Sequence, residues 1–194
     1  MRNPLSILRR VFARGIFPHE FSWLIDNALR RAIITPEELA DRIAAGPDAT
    51  IVELGAGSGY FSRELSARTP GGHVVLLDIQ PEMLQKARRK LESARVRNAS
   101  FVVFDANCGL PLRDSQADVI VLVSVLGEVT DRRGCLESAF RVLRQTGMTV
   151  VHESVPDPDL IRFETLVRLA KASGFRIKNR WGKWHNYTAA FAKE

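Results

Sequence analysis

The sequence has only two cysteines, Cys108 and Cys135, and no apolar run near the roughly 20 residues of a membrane span. The cysteines show neither CxxC nor metal-ligand spacing, so no metal site is expected and free thiols in a reducing, cytoplasmic compartment are. There is no internal repeat and no low-complexity linker, so 194 residues read as one well-cored domain with a short extension. Acid is scarce at both ends. Residues 1–31 carry six Arg against Glu20 and Asp26, and residues 176–194 carry five basic residues against Glu194, while the net charge is only +6. Basic ends on a near-neutral body fit an anionic partner: nucleic acid, an acidic substrate, or an anionic membrane surface touched peripherally.

Residues 1–34 form a helical extension. "PLSILRRVFAR" is amphipathic at helical period, with Leu5, Leu8 and Phe12 on one arc and Arg9, Arg10 and Arg14 on the other. An Arg-rich start resembles a transit peptide, but it holds only one Ser and is read as part of the mature fold. "HEFSWLIDNALRRAI" is a second helix. "TPEELADRIAA" is a third, with Thr35 as N-cap, Pro36 in the first turn, Glu38 closing a capping box and Gly46 ending it.

From residue 50 strands and helices alternate. Strands are expected at Thr50–Leu54, His73–Asp78, Ala99–Asp105, Asp118–Val125 and Met148–Ser154, and helices at Tyr60–Ala67, Pro81–Arg95, Arg132–Leu143 and Leu160–Ser173. Strands rich in Val, Ile and Leu on both faces suit a buried parallel sheet, and the alternation gives a doubly wound α/β domain over residues 35–194. After Gly174 two strands meet at a turn near Gly182 with no helix between them, so they must be antiparallel.

"IVELGAGSGYF" places Gly55, Gly57 and Gly59 behind the first strand. A phosphate loop needs Lys and then Ser or Thr after its last glycine, but Tyr60 and Phe61 follow here. The dinucleotide pattern G-x-G-x-x-G is wider, and Glu53 just before the loop would repel a pyrophosphate. That carboxylate suits an amino group. Asp78 ends the second strand, where an acid can accept both hydroxyls of a ribose, and Asp105 ends the third. A ligand with a ribose, an amino group and no phosphate is implied. S-adenosylmethionine fits, its carboxylate seated on amides where the next helix begins.

On these residues the chain resembles the class I S-adenosylmethionine-dependent methyltransferases from about residue 35 to its end. "VELGAGSGYFS" is similar to that family's first motif and "LLDIQPEMLQKAR" to its second. "FDANCGLPLRDSQADVIVLVSVL" is similar to its third and fourth. The resemblance assigns cofactor contacts to Glu53, Gly55, Ala56, Gly57, Gly59, Asp78, Ile79, Asp105 and Ala106, with Asp78 on the ribose and Ile79, Asp105 and Ala106 around the adenine. It also implies a Rossmann-like, mostly parallel sheet of seven strands, the last antiparallel. The branch that methylates quinones and other small molecules is most similar. "FRVLRQTGMTVVHE" resembles its helix–turn–strand, although Gln145-Thr146-Gly147 stands where Lys-Pro-Gly-Gly is usual.

The expected activity is methyl transfer from S-adenosylmethionine to a small or lipid-like acceptor. An RNA or protein methyltransferase and a non-catalytic binding module are the alternatives, and nucleic acid is the less favoured partner. Methyltransferases of exocyclic base amines resemble one another in an Asn- or Asp-Pro-Pro-aromatic motif, where this chain has Ser124-Val125-Leu126-Gly127. Cytosine C5 chemistry needs a cysteine nucleophile, but Cys135 reads as buried in a helix and Cys108 has no neighbouring base. Proximity and orientation supply most of the acceleration in such a displacement, and a base is needed only where the nucleophile carries a proton. Glu128, after the fourth strand, is the candidate base. His19, Phe21, Glu153, His185 and Tyr187 are acceptor-side candidates. The aromatic extension, with Phe17, Phe21, Trp23 and Leu24, is expected to cover the acceptor side as a lid.

Overall fold

A computed structural model describes residues 34–155 and 157–194. The expected lid, with His19 and Phe21, lies outside the described residues.

Seven strands form one sheet in the order β3-β2-β1-β4-β5-β7-β6. Strands β1 (Thr50–Leu54), β2 (His73–Asp78), β3 (Ala99–Val103), β4 (Ala117–Val123) and β5 (Leu143–Ser154) are parallel. β7 (Asn186–Lys193) runs antiparallel between β5 and β6 (Phe175–Lys183). The seven-stranded, mostly parallel sheet with its last strand reversed is as expected.

Helices cover both faces, which is why the central strands are apolar on both sides. On one face α1 (Pro36–Ile43), α2 (Ser62–Arg68) and α3 (Pro81–Ser93) bury Leu39, Leu65, Leu84 and Leu91 against Ile51, Leu76 and Val121. On the other, α4 (Arg132–Val142) and α5 (Phe163–Ala172) bury Leu136 and Leu166 against Val52, Ile120 and Val151. Each such side chain contributes about 1.5–3 kcal/mol.

Several boundaries differ from expectation. In α1, Glu38 N–H donates to Thr35 Oγ1 at 3.1 Å, but the Glu38 carboxylate turns to Arg42, so the capping box is half made. The helix stops before Gly46: Ala44 takes φ 47°, and its N–H donates to Ala40 O at 2.8 Å. α2 starts two residues later than expected, because Tyr60 and Phe61 are still in the turn that leaves the glycine loop. The shorter β3 ends at Val103, since Asp105 caps a 3-10 turn at Ala106–Cys108. β5 starts five residues early, directly from α4, because Leu143 adopts extended backbone and pairs with Ala117. Gln145-Thr146-Gly147 is therefore strand and not turn. The C-terminal turn lies at Trp184–His185; Gly182 sits inside β6 opposite Tyr187 with φ 85°.

Candidate functional site

The glycine loop after β1 is held between the carboxyl end of β2 and the loop after β4. Gly55 and Ala56 donate their N–H groups to Leu77 O at 2.8 and 3.0 Å, tying the loop to β2. Gly55 has φ 69°, and a Cβ there would lie 2.2 Å from Val125 Cγ2, so the loop after β4 packs directly on it. At Gly59 (φ 73°), a Cβ would lie 3.0 Å from Ala87 Cβ of α3. Gly57 differs: its φ is 56°, but the nearest atom to an added Cβ is Met83 Cε at 3.7 Å, an ordinary contact, so backbone conformation and not crowding calls for glycine there.

Asp78 lies against Gly57. Its Oδ2 accepts from Gly57 N–H and its Oδ1 from Gln80 N–H, both at 2.8 Å. Each oxygen keeps a second lone pair for a ligand hydroxyl. Burial raises its pKa, and the two N–H bonds oppose that rise. Ile79 follows, 41% exposed, and Val103 of β3 is 58% exposed, so a flat ring has an apolar surface beside the acid. Asp105 instead accepts from Asn107 N–H at 2.9 Å and from Asn107 Nδ2 at 2.8 Å, which lowers its pKa, and Ala106 opens the turn it caps. Glu53, buried in β1, accepts from Ser62 Oγ at 2.5 Å and so anchors the start of α2. A carboxylate with a lone pair left on each oxygen and an exposed apolar step beside it fit the ribose and adenine of S-adenosylmethionine.

Glu128 lies in the tight loop after β4, its N–H donating to Val125 O at 3.0 Å. Reduced solvation, then the charges of Asp157, Asp159, Asp78 and Glu153, push its carboxyl up to about 8. The side chain is exposed at the cleft mouth, so water moderates that push. Ser124, which opens the loop, has φ 52°, a backbone strain of the kind that collects at functional sites.

Glu153 and Tyr187, partners across β5 and β7, are fully buried on the α4–α5 face. Glu153 Oε2 accepts from Ile161 N–H at 3.2 Å, and Tyr187 OH donates to Ile161 O at 2.5 Å. Together they pin the peptide that leads into α5. Burial pushes Glu153 up to about 8. His152 faces the other side, its Nδ1 3.0 Å from Thr188 Oγ1. His185 is at the hairpin tip, edge-on to Trp184. Cys135 is buried, its thiol pushed up to about 12 by burial, and Cys108 is exposed. Asp157, Asp159 and Arg132 were not singled out by the sequence; loop acids and a helix-start Arg carry no motif. Among the described residues no group of three or more His, Cys, Asp or Glu could hold a metal, and no helix is long and apolar enough to cross a membrane.

Comparison with known proteins agrees with this geometry. The family model described as "Methyltransferase domain" matches residues 46–189. The chain is 35% identical over 147 residues to the ubiquinone/menaquinone biosynthesis C-methyltransferase UbiE of Vibrio vulnificus, covering 74% of this chain and 54% of that protein. It is 29% identical over 126 residues to the arsenite methyltransferase of Halobacterium salinarum, covering 62% of this chain and 32% of that one. The chain thus spans about half the length of the first relative and a third of the second. Its fold is similar to a SAM-dependent methyltransferase from Aquifex aeolicus, with a TM-score of 0.82 at 18% identity, over 91% of this chain and 98% of that one. With the matched region covering most of the sheet and the whole glycine loop, the chain belongs to the methyltransferase-domain family, in its class I S-adenosylmethionine-dependent form.

Proposed function

We propose that the chain transfers a methyl group from S-adenosylmethionine to a small or lipid-like acceptor, with Glu128 as the base. The observation that supports this reading is the packing of the glycine loop on the loop after β4, Gly55 against Val125, three residues before Glu128. When bound, the cofactor supplies a methyl carbon activated by a positively charged sulfur. Asp78 accepts from the ribose hydroxyls while it keeps the Gly57 and Gln80 N–H bonds. Ile79 covers one face of the adenine, and Asp105 and Ala106 border it. Glu53 would accept from the cofactor's amino group, and the turn from the glycine loop into α2 would seat its carboxylate. Glu128 takes up on its carboxylate the proton that an acceptor O–H or C–H releases. The His185 ring, at the hairpin tip, borders the acceptor side.

The acceptor class draws on relatives named for quinone and arsenite methylation, both small-molecule chemistries. The loop after β4 also has Ser124 and Gly127 where a base-methylating enzyme would carry its amide and aromatic clamp. The test is a radiolabelled methyl donor given to cell extract fractionated into solvent-extractable lipids, water-soluble small molecules, RNA and protein. Label in either small-molecule fraction supports the reading. Label confined to RNA or protein replaces it, and donor binding without labelled product makes the chain a binding module.

A further inference from the structure

In the sheet β2 and β1 stand between β3 and β4, so the segment that leaves β3 has to pass both before it enters β4. Helix α4 holds this segment: Leu110 N–H donates to Ser138 Oγ at 2.6 Å, and Arg141 donates to Leu110 O at 2.8 Å and to Leu112 O at 2.9 Å. Asn107 stands at its start, in the 3-10 turn that Asp105 caps.

The Asn107 side chain bonds in two directions. Its Nδ2 donates to Asp105 Oδ1 at 2.8 Å, and its Oδ1 accepts from the N–H groups of Thr130 and Asp131, both at 3.1 Å. A carboxylate only accepts and a backbone N–H only donates, so a flipped amide would lose all three bonds. The Asn107 N–H alone, which donates to Asp105 Oδ1 at 2.9 Å, would close the turn. The side chain therefore does something further: it ties the acid assigned to the adenine to the far end of the loop that carries Glu128. Both bonds on Asp105 fall on Oδ1, which leaves Oδ2 without a hydrogen bond among the described residues. The other ties at that end of the loop stay within it and its own helix. Glu128 N–H donates to Val125 O, Arg132 Nη2 donates to Gly127 O at 2.7 Å, and Asp131 Oδ1 accepts from Gly134 N–H at 2.9 Å.

The geometry points to Asn107 as a positioning residue through which a bound adenine fixes the Glu128 loop. This inference rests on the proposed function, since it needs the adenine amine at Asp105. The amine donates to Asp105 Oδ2, and the carboxylate so held keeps its Oδ1 on Asn107 Nδ2. An amide group is planar, so anchoring its nitrogen aims its oxygen at the Thr130 and Asp131 N–H groups. The three bonds that the side chain makes are exposed, so water competes for each of them and the loop opens part of the time when no ligand is bound. A seated cofactor closes it before an acceptor arrives. Binding is then ordered, cofactor first, and Glu128 is held in place only where a methyl donor is present.

Hydrogen exchange on the full chain, free and saturated with S-adenosylhomocysteine, tests this, with calorimetry to establish saturation. In the wild type the ligand should slow exchange at Thr130 and Asp131 by about threefold to tenfold. In Asn107→Ala that slowing should fall below about twofold. The Gly57 and Gln80 N–H groups, which bond Asp78, should still respond to the ligand as in the wild type. Asn107→Asp separates the two directions, because it keeps an acceptor for Thr130 and Asp131 but sets a second carboxylate against Asp105. There too the ligand should slow the loop by less than about twofold. A merely structural role, in which Asn107 anchors the loop whatever is bound, predicts that Asn107→Asp keeps the wild-type response, and that result overturns the inference. A wild-type loop that the ligand leaves unchanged while Gly57 and Gln80 are slowed overturns it as well, and the methyltransferase reading stands. If S-adenosylhomocysteine does not bind the wild type, both readings fail. Thermal melts check that the variants are folded, and Asn107→Asp carries the comparison alone if Asn107→Ala is not.

Discussion

Replacing Glu153 by Gln should make the protein more stable at alkaline pH, by an amount that grows with pH. The carboxyl is fully buried, with one oxygen on Ile161 N–H and the other unpartnered among the described residues. Burial is the main cause of a pKa raised to about 8; Asp157 and Asp159 add to the rise, and Ile161 N–H and Arg132 oppose it. In the unfolded chain a Glu titrates near 4.3. Between about pH 4.5 and 8 the folded protein therefore holds a proton that the unfolded chain has lost. Stability falls as pH rises through that window, by about 1.4 kcal/mol per unit, reaching on the order of 4 kcal/mol at pH 8. Below the window both states are protonated and the term vanishes. Gln keeps the carbonyl that accepts from Ile161 and cannot ionise, so the variant lacks the slope. Urea unfolding followed by circular dichroism at pH 5, 6.5 and 8 measures the difference, and other titrating groups largely cancel between the two proteins. A difference that stays flat with pH, or a wild type that gains on the variant as pH rises, would mean that Glu153 is a charged partner of Arg132 and would refute the argument.

Asp78→Asn retains one acceptor for Gly57 or Gln80 but loses the charge, and calorimetry should show S-adenosylhomocysteine affinity reduced about 10- to 100-fold; unchanged affinity in a folded variant would remove Asp78 from the cofactor site. Glu128→Gln should lower kcat about 10²- to 10⁴-fold with cofactor affinity nearly unchanged. The wild-type rate should rise with pH as that carboxyl ionises, at a midpoint between its ordinary value and about 8, and the variant's profile should lack this limb. Gly55→Ala puts a methyl group 2.2 Å from Val125 at φ 69° and should cost about 1–3 kcal/mol in a melting experiment; a neutral result would show that the two loops separate freely. Deleting residues 1–31 should abolish methyl transfer while cofactor affinity stays within several-fold, and normal turnover by the truncated chain would end the lid proposal.

What could be read in advance follows from how far each signal reaches along the chain. The strands and helices on both sides of the glycine loop are set by periodic burial over five to thirteen residues, and their order came out as expected. Gly55, Gly57 and Gly59 each adopt positive φ, so their spacing records a backbone requirement directly. The start of β5 was missed because Leu143 passes from helix to strand with no Gly or Pro to mark the change. The hairpin turn falls two residues past Gly182, whose positive φ is used inside β6, where a Cβ would lie 2.2 Å from Asn186 O.

The carboxyl ends of β4 and β5, the proposed acceptor side, were harder to read, because their parts are joined only in space. Asp157 is held by Ser124, more than thirty residues earlier, and Ile161 is gripped by Glu153 and Tyr187 from two different strands. Nothing local distinguishes Asp157 or Asp159 from solvated loop acids. It is the sheet order, with β4 beside β5 and β5 beside β7, that gathers them at one edge. The same order explains why Glu153 and Tyr187, adjacent across two strands, share the task of pinning one peptide. The proposed cofactor seat is therefore written in contiguous motifs, whereas the cluster proposed for the acceptor side is a product of topology. Acceptor specificity can accordingly change through the turns after β4 and β5 without disturbing Asp78 or the glycine loop.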